Sequence, residues 1–313
     1  MRTNRIWPYF LLAAWILLLA ASPFLANNYL MKIATYIAMF AAIAMSWNFI
    51  GGYAGYPSFA TAAFVGLGSY SGAILQNAGL PMFLAWGAAA VIVVVFSASI
   101  GLIILRMKGH YFAIGSIALV DILSHTASSW SSLTGGGEGL NVKIMQGGPE
   151  LVGMIFLYTM LAIMLLAFIT TVIVDRSKLG FGLRCIQQNE DAADMLGINV
   201  MLYKNIAFIL SSVFCGIIGA AYASWVAYIS PLDSFSILLT LKAAVMVLLG
   251  GAGTVFGPIV GSAALVIFEE TIWSRFLSLH QGILGLVIVL LIFFLPNGLL
   301  KVDWSKLWAK KND

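Results

Sequence analysis

Almost the whole chain is divided into apolar runs of roughly bilayer-crossing length, separated by short polar connectors, and that pattern admits very few folds. A helix needs about 20 residues to traverse a hydrocarbon core of ~30 Å. Apolar runs fall near residues 6–26, 30–50, 59–78, 81–105, 110–129, 150–174, 205–228, 236–250, 258–272 and 282–298. Lipid-exposed backbone must satisfy its own hydrogen bonds, and for runs this long and apolar the solution is a helix. The expectation is an all-α, polytopic membrane bundle of about ten transmembrane segments, some short or broken. It forms a single transmembrane domain over residues 1–313, including the loop 175–204, because every polar loop is too short to fold alone. Only 9% of the residues are charged and 61% are hydrophobic, whereas ordinary soluble domains carry about 25% charged residues. The first run is long enough to span, and is read as a helix rather than as a cleaved signal peptide.

Orientation follows from where the cations lie, not from net charge. With both termini cytoplasmic, Arg2, Arg5, Arg106, Lys108, Arg176, Lys178, Arg184, Lys204, Lys301, Lys306, Lys310 and Lys311 fall inside, and only Lys32, Lys143 and Arg275 fall outside. The formal charge of +4 therefore gives no reason to expect nucleic-acid binding. Cys185 and Cys215 offer no disulfide framework.

One polar island interrupts the hydrocarbon between 175 and 204: Asp175-Arg176-Ser177-Lys178, then Arg184, Asp191-Ala192-Ala193-Asp194-Met195-Leu196-Gly197 and Lys204. Leu183, Ile186, Ala193 and Leu196 recur at helical spacing and are expected to share one apolar face of two short helices. Glu190 and Asp191 suit the positive end of the second helix, and Gly197 suits the left-handed residue that closes it. The alanines leave a shallow surface for another protein. An acidic residue followed by Ala-Ala-x-x-x-Gly matches the cytoplasmic loop of importer permeases of the ATP-binding-cassette class, which docks in a cleft of the ATPase.

Two glycine breaks stand out, Gly51-Gly52-Tyr53-Ala54-Gly55-Tyr56-Pro57 and Gly250-Gly251-Ala252-Gly253-Thr254-Val255-Phe256-Gly257-Pro258. The runs that flank the second, 236–250 and 258–272, are too short for a clean crossing. Short segments interrupted by Gly and Pro often mark a transport pathway. On the outer side lie 128–150, which viewed alone reads as a solvated connector, and Ser230-Pro231-Leu232-Asp233. Lys242 sits mid-run, where a charge costs roughly 2.5 to 3.5 kcal/mol and needs a partner or water. Asp121, Glu269 and Glu270 are its candidate counter-ions, and the alternatives are a structural ion pair or attraction of a substrate carboxylate. Asp121 and His125, four residues apart, read as a buried polar pair; a third ligand at suitable spacing is not visible, so no metal site is expected. The residues proposed for a substrate pathway are Tyr56, Ser58, Thr61, Tyr70, Tyr111 and Lys242.

Five motifs in order give the chain a family resemblance. Gly52-Tyr53-Ala54-Gly55 with Ser58 leads to Ala62-Ala63-Phe64-Val65-Gly66-Leu67-Gly68-Ser69-Tyr70. Lys108-Gly109-His110-Tyr111-Phe112-Ala113-Ile114 follows, then Thr134-Gly135-Gly136 with Gly139-Leu140, the stretch 189–199, and Gly250-Gly251-Ala252-Gly253-Thr254 with Gly257-Pro258. Together they resemble the LivM-type permeases of the branched-chain amino acid transport family. The resemblance implies a multi-pass protein of the bacterial inner membrane, paired with a second, LivH-like permease. Two cassette ATPases would lie beneath and a periplasmic substrate-binding protein above. It implies ATPase coupling through Arg184, Glu190, Asp191, Ala192, Ala193 and Gly197, and contact with the binding protein at Thr134, Gly135, Gly136 and Glu138. ATP and Mg would be used by the partners and no cofactor by this chain, which indeed lacks a Gly-x-x-x-x-Gly-Lys-Ser/Thr loop. The sequence departs from the family pattern at Tyr56, where Gln is common, and at Ala60-Thr61, where a Gly-His pair is common. A permease for another small carboxylate, urea or an amide is the alternative within the class. An ion-coupled transporter or channel using Lys242, Asp121 and Glu269 is the alternative outside it, and no motif of an intramembrane enzyme is present.

Overall fold

The computed structural model describes residues 16, 19–25, 28–145 and 147–273. The run 282–298, and all of 6–26 except residues 16 and 19–25, lie outside the described residues, as do Arg2, Arg5, Arg275 and the four lysines from 301 onward. Helices occupy the other eight runs. α1 (Asn28–Trp47) continues directly into a π-helical turn, Asn48–Tyr53. After it come α2 (Ala60–Asn77), α3 (Met82–Ile104), α4 (His110–Ser129), α5 (Pro149–Arg176), α6 (Lys178–Gln188), α7 (Glu190–Met195), α8 (Val200–Val226), α9 (Ile237–Gly250) and α10 (Gly257–Trp273). Among the described residues, six stretches are long and apolar enough to cross a membrane: Asn28–Tyr53, Met82–Ile104, His110–Ser129, Pro149–Arg176, Val200–Val226 and Pro231–Gly250.

Small residues decide which helices become central. Between apolar helices in lipid, association relies on close packing rather than on the hydrophobic effect, which favours Gly, Ala and Ser at the contact. α2 and α8 supply them: a methyl group at Gly68 would collide with the Gly216 backbone, one at Gly72 with Ala220, and one at Gly219 with Val65. Ser69 Oγ crosses the same seam to the Gly219 carbonyl at 3.0 Å. α1, with its run of alanines, packs against α5, α8, α9 and α10. Its best span window is 83% buried, whereas that of α4 is 28% buried.

α9, with 14 residues, extends only about 21 Å by itself and packs along α10. Their backbones touch where Gly250 meets Gly257 and Gly261 meets Met246, contacts that any side chain at the glycines would block. At the end of the bundle opposite α6 and α7 a two-residue antiparallel ladder joins β1 (Leu140–Asn141) to β2 (Tyr228–Ile229). The stretch expected as a solvated connector is therefore partly ordered: it carries a helical turn Ser131–Thr134 and a 3-10 turn Gly136–Glu138 before β1.

Three expectations need correction. Asp121 and His125 are both exposed on α4 and make no bond to each other, because α4 lies at the edge of the bundle with that face uncovered. Leu196 does not join the apolar face of Leu183, Ile186 and Ala193: it is 76% exposed, since α7 ends at Met195 and the chain turns outward. Lys204 is not a loop cation; it lies inside α8, which begins at Val200 because the Asn199 side chain caps it, accepting from Leu202 N at 3.1 Å.

Candidate functional site

The polar island folds as two short helices whose ends are set by local capping. Ser177 accepts from Gly180 N at 3.4 Å to start α6, and Asn189 accepts from Ala192 N at 3.0 Å to start α7. α7 closes with Gly197 N donating to the Asp194 carbonyl and Ile198 N to the Ala193 carbonyl, at 2.9 and 3.1 Å. That pair of bonds needs a left-handed residue between them, and Gly197 supplies it at φ +81°. Glu190 and Asp191 occupy the first turn of α7.

Each short helix is fastened to the first glycine break. From α6, Gln187 Nε2 donates to the Gly52 carbonyl at 2.9 Å. Arg184 Nη1 donates to Asp175 Oδ1 at 2.9 Å and Nη2 to the Asp175 carbonyl at 2.8 Å, while Tyr53 OH donates to the same carboxylate at 3.1 Å. At α7, Glu190 turns inward, accepting a short hydrogen bond from Tyr56 OH and lying 3.0 Å from Lys204 Nζ. Lys204 Nζ also donates to Tyr56 OH at 3.3 Å and lies 4.5 Å from the centre of the Tyr56 ring. With the Lys204 side chain only 2% exposed, this ion pair and the aromatic face satisfy a charge that would otherwise be buried alone. Burial alone would raise the Glu190 carboxyl, but the hydrogen bonds from Tyr56 and Lys204 and the neighbouring lysine charges outweigh it and hold it below the ordinary glutamate value. Burial, then the bond to Glu190, pushes the Tyr56 phenol up, so it remains a donor.

The first break is tied in turn to the second by one amide. Asn48 Nδ2 donates to the Thr254 carbonyl at 3.0 Å, and Gly253 N donates to Asn48 Oδ1 at 2.9 Å. A continuous chain of contacts therefore runs from α6 and α7 through 52–56 to the α9–α10 turn. On the other flank of α7, Lys108 from the α3–α4 link pairs with Asp191 at 2.9 Å. An open groove of about 690 Å3 lies between that link and α7, with Arg106, Lys108, Glu190, Asp194, Asn199 and Lys204 on its walls. Beyond the fastened face, Met195 is 88% exposed beside Leu196.

A sequence model of the family described as branched-chain amino acid transport system, permease component, matches residues 29–292. The chain belongs to this permease family. It is 25% identical to the high-affinity branched-chain amino acid transport permease LivM of Escherichia coli, an alignment covering 96% of this chain and 76% of that protein. The LivM of Salmonella typhimurium is 24% identical with the same coverage, and the probable LivH permease of Methanocaldococcus jannaschii is 26% identical over 50% of each chain. No solved structure matches.

Within this family member, the expected coupling residues share one loop but divide in orientation: Arg184, Glu190 and Ala193 face the bundle side, whereas Asp191, Ala192 and Gly197 are exposed. The expected pathway residues do not form one cluster. Tyr56 joins the Glu190–Lys204 pair, while Ser58 is buried and its carbonyl accepts from Trp47 Nε1 at 2.8 Å. Thr61 Oγ1 and Tyr70 OH are buried without a hydrogen-bond partner, the Tyr70 ring stacking on Phe235 at 5.8 Å. Tyr111 is exposed at the start of α4. Lys242 Nζ lies 3.0 and 3.1 Å from the two Glu269 carboxylate oxygens, only the Oε2 contact having hydrogen-bond geometry, and 5.8 Å from the centre of the Phe40 ring. Glu270 instead accepts from Tyr29 at 2.6 Å. Of the outer residues, Thr134 is buried with its hydroxyl donating to the Ala127 carbonyl at 2.6 Å, whereas Glu138 is exposed. Among the described residues no group of three His, Cys, Asp or Glu side chains gathers as a metal site.

The expected coupling and pathway residues leave out Asn48, Asp175, Gln187 and Lys204, which hold the site together. Asp175 and Lys204 stand in the polar island by sequence, but no spacing points them to Tyr53, Tyr56 or Glu190.

Proposed function

We infer that the chain is a membrane-spanning permease subunit of an ATP-binding-cassette importer for branched-chain or other hydrophobic amino acids, in the bacterial inner membrane. It works beside a second, LivH-like permease, with two ATPases on the cytoplasmic side and a periplasmic binding protein on the outer side. The chain crosses about ten times with both termini cytoplasmic. ATP and Mg are bound by the ATPases, and this chain takes part through motion alone. The observation that carries this proposal is the fastening of α6 and α7 to the first glycine break, with Met195 and Leu196 left uncovered on the opposite face.

ATP-driven closure of the ATPases would press on the exposed side of α7. The Glu190–Lys204–Tyr56 and Arg184–Asp175–Tyr53 contacts would pass that movement to residues 52–56, and Asn48 would pass it to the α9–α10 turn. Substrate delivered at the outer side, near Thr134, Gly135, Gly136 and Glu138, would then gain access to a route that the resting protein closes. Ser58, Thr61 and Tyr70, with Lys242 beside the second break, are its candidate lining.

Replacing Gly197 tests the docking step. The position has open space around it, so an arginine there meets no internal clash and projects toward the ATPase. Gly197→Ala carries the same backbone strain, about 1–2 kcal/mol, without the bulk. Gly197→Arg should abolish uptake while ATP hydrolysis continues uncoupled, and Gly197→Ala should transport; unimpaired uptake by Gly197→Arg would remove α7 from the coupling site.

A further inference from the structure

α4 presents a combination that a lipid-facing helix does not tolerate. Asp121 lies near the middle of this 20-residue span, is exposed, and makes no hydrogen bond or ion pair among the described residues. A carboxylate at that depth is strongly disfavoured against lipid, and such residues face a bundle interior or a water-filled path. The opposite side of the helix is the one that packs inward. Phe112, Leu119 and Val120 are buried there, with Ser116, whose hydroxyl accepts from Phe59 N at 2.9 Å and donates to the Ala113 carbonyl at 2.7 Å.

The uncovered face changes character along its length. From Asp121 outward it carries Ser124, His125 and Ser128, at the intervals of three, four and seven that keep residues on one side of a 3.6-residue helix. All are exposed or half-buried, and neither Ser124 nor His125 spends its side chain on a partner among the described residues. From Asp121 inward the same intervals bring Ala118 and Ile114, exposed, and Ile117, half-buried, all apolar. A carboxylate therefore stands where a polar half meets a hydrocarbon half.

This face reaches toward both working ends of the molecule. Its inner end adjoins Lys108, which holds Asp191 of α7. Its outer end meets the Gly136 turn, which packs on Ser128 and whose neighbour Thr134 bonds Ala127. Charge complementarity selects the occupant. Lys242 is already neutralised by Glu269, so it offers little to a carboxylate, whereas Asp121 meets no cation among the described residues. A solute with an ammonium group beside a hydrocarbon side chain fits the junction: the cation meets Asp121 and the hydrocarbon lies against Ile117 and Ile114.

We propose that the uncovered face of α4 lines the substrate route where this chain meets the second permease, and that Asp121 receives the ammonium group of the amino acid as it passes. This rests on the amino acid transport function inferred above.

The test uses the complete complex with its partner permease, ATPases and binding protein in proteoliposomes. Ala118→Cys and Ser124→Cys, each close to one turn from Asp121, are made singly in a background carrying Cys185→Ser and Cys215→Ser. Ile169→Cys, among the exposed apolar Leu165, Leu166 and Ile173 of α5, is the control expected to face lipid. Two water-soluble methanethiosulfonate reagents of similar size, one bearing an ammonium and one a sulfonate, are compared; the cysteine thiolate attacks the reagent sulfur, forming a mixed disulfide and releasing methanesulfinate. The α4 cysteines should react while the control stays unlabelled. The cationic reagent should be favoured by about tenfold, as expected for one charge-assisted contact, and Asp121→Asn should erase that preference. Leucine uptake by Asp121→Asn should fall by about tenfold or more at unchanged ATPase rate, with partial recovery in Asp121→Glu.

Unlabelled α4 cysteines, labelling without cation preference, or unchanged leucine uptake in Asp121→Asn would overturn the proposal. So would loss of the co-purifying second permease with normal uptake per assembled complex, which would make Asp121 a structural ion pair across the interface. A wild-type complex that labels as expected but takes up no amino acid would sink the amino acid assignment itself, a result distinguishable from failure of the route.

Discussion

The two ends of this permease hold their loops in opposite ways. At one end α6 and α7 are held mostly by side chains, several of them charged, that converge on residues 52–56: Gln187 on Gly52, Asp175 with Arg184 on Tyr53, Glu190 with Lys204 on Tyr56. At the other end, around β1 and β2, the fastening is largely backbone. β1 pairs with β2, Val142 N donates to the Ala227 carbonyl at 2.9 Å, and Tyr228 OH and Asn77 Nδ2 donate to main-chain carbonyls of Glu138 and Asn141. Side-chain clusters depend on orientation and break in discrete steps, which suits the transmission of movement proposed for this loop. A backbone ladder is indifferent to side-chain identity and suits a rim that must hold its shape.

The largest break in this contrast should come from Glu190→Ala, which leaves the Lys204 ammonium buried without its carboxylate, a loss of about 3–5 kcal/mol. Thermal unfolding of the detergent-purified complex should show it, and the double variant Glu190→Gln with Lys204→Met should recover most of the loss. Equal losses in the single and double variants would mean the pair does not hold α7. Gly135→Ala strikes the end that carries β1 and β2 instead. Gly135 sits at φ +74°, and an added methyl would collide with the Gly139 carbonyl, so strain of about 1–3 kcal/mol is expected. Hydrogen exchange should rise at Leu140, Asn141 and Val142 and stay unchanged in α6 and α7; a change in both would show the two sides are not separate.

A smaller effect should appear with pH. The folded carboxyl of Glu190 lies below the ordinary glutamate value of 4.5, so its stabilising contribution is fully present above that value and is lost as pH falls through the lower folded one. The Glu190→Gln variant should lack this acid-side decline in melting temperature, and an identical decline in both proteins would assign it to other carboxylates. The smallest effect belongs to Lys108→Ala. The Lys108–Asp191 pair is exposed and screened by salt, so the melting temperature should not move measurably.

How much of this was legible in the sequence depended on whether a feature is local. Helix positions followed from apolar run length, and the two short helices of the island from Glu190, Asp191 and Gly197, whose capping roles need only neighbours in the chain. Leu196 was misassigned because periodicity was extended one residue past a helix that Gly197 was already ending. Asp121 and His125 were assigned to the interior because an apolar span hides which of its faces is covered, a property of tertiary packing. The fastening of the loop to 52–56 joins residues 134 and 135 positions apart, and no spacing rule reaches that far. The departure at Tyr56 was visible, yet its meaning was not: its phenol bonds Glu190 and accepts from Lys204, contacts that only the folded chain brings together.

Asn48 grips the second glycine break through a backbone N–H and a backbone carbonyl, never through a side chain. The held side is no freer to change: Gly253 sits at φ +69°, and the Thr254 hydroxyl donates to the Gly251 carbonyl and accepts from Gly257 N, so both residues shape the turn that Asn48 reads. Asn48 is bound as tightly, because an Asp would lose the donor and set a negative charge against the Thr254 carbonyl. In a comparison of relatives, substitutions should therefore be scarce on the side that is held as well as on the side that holds.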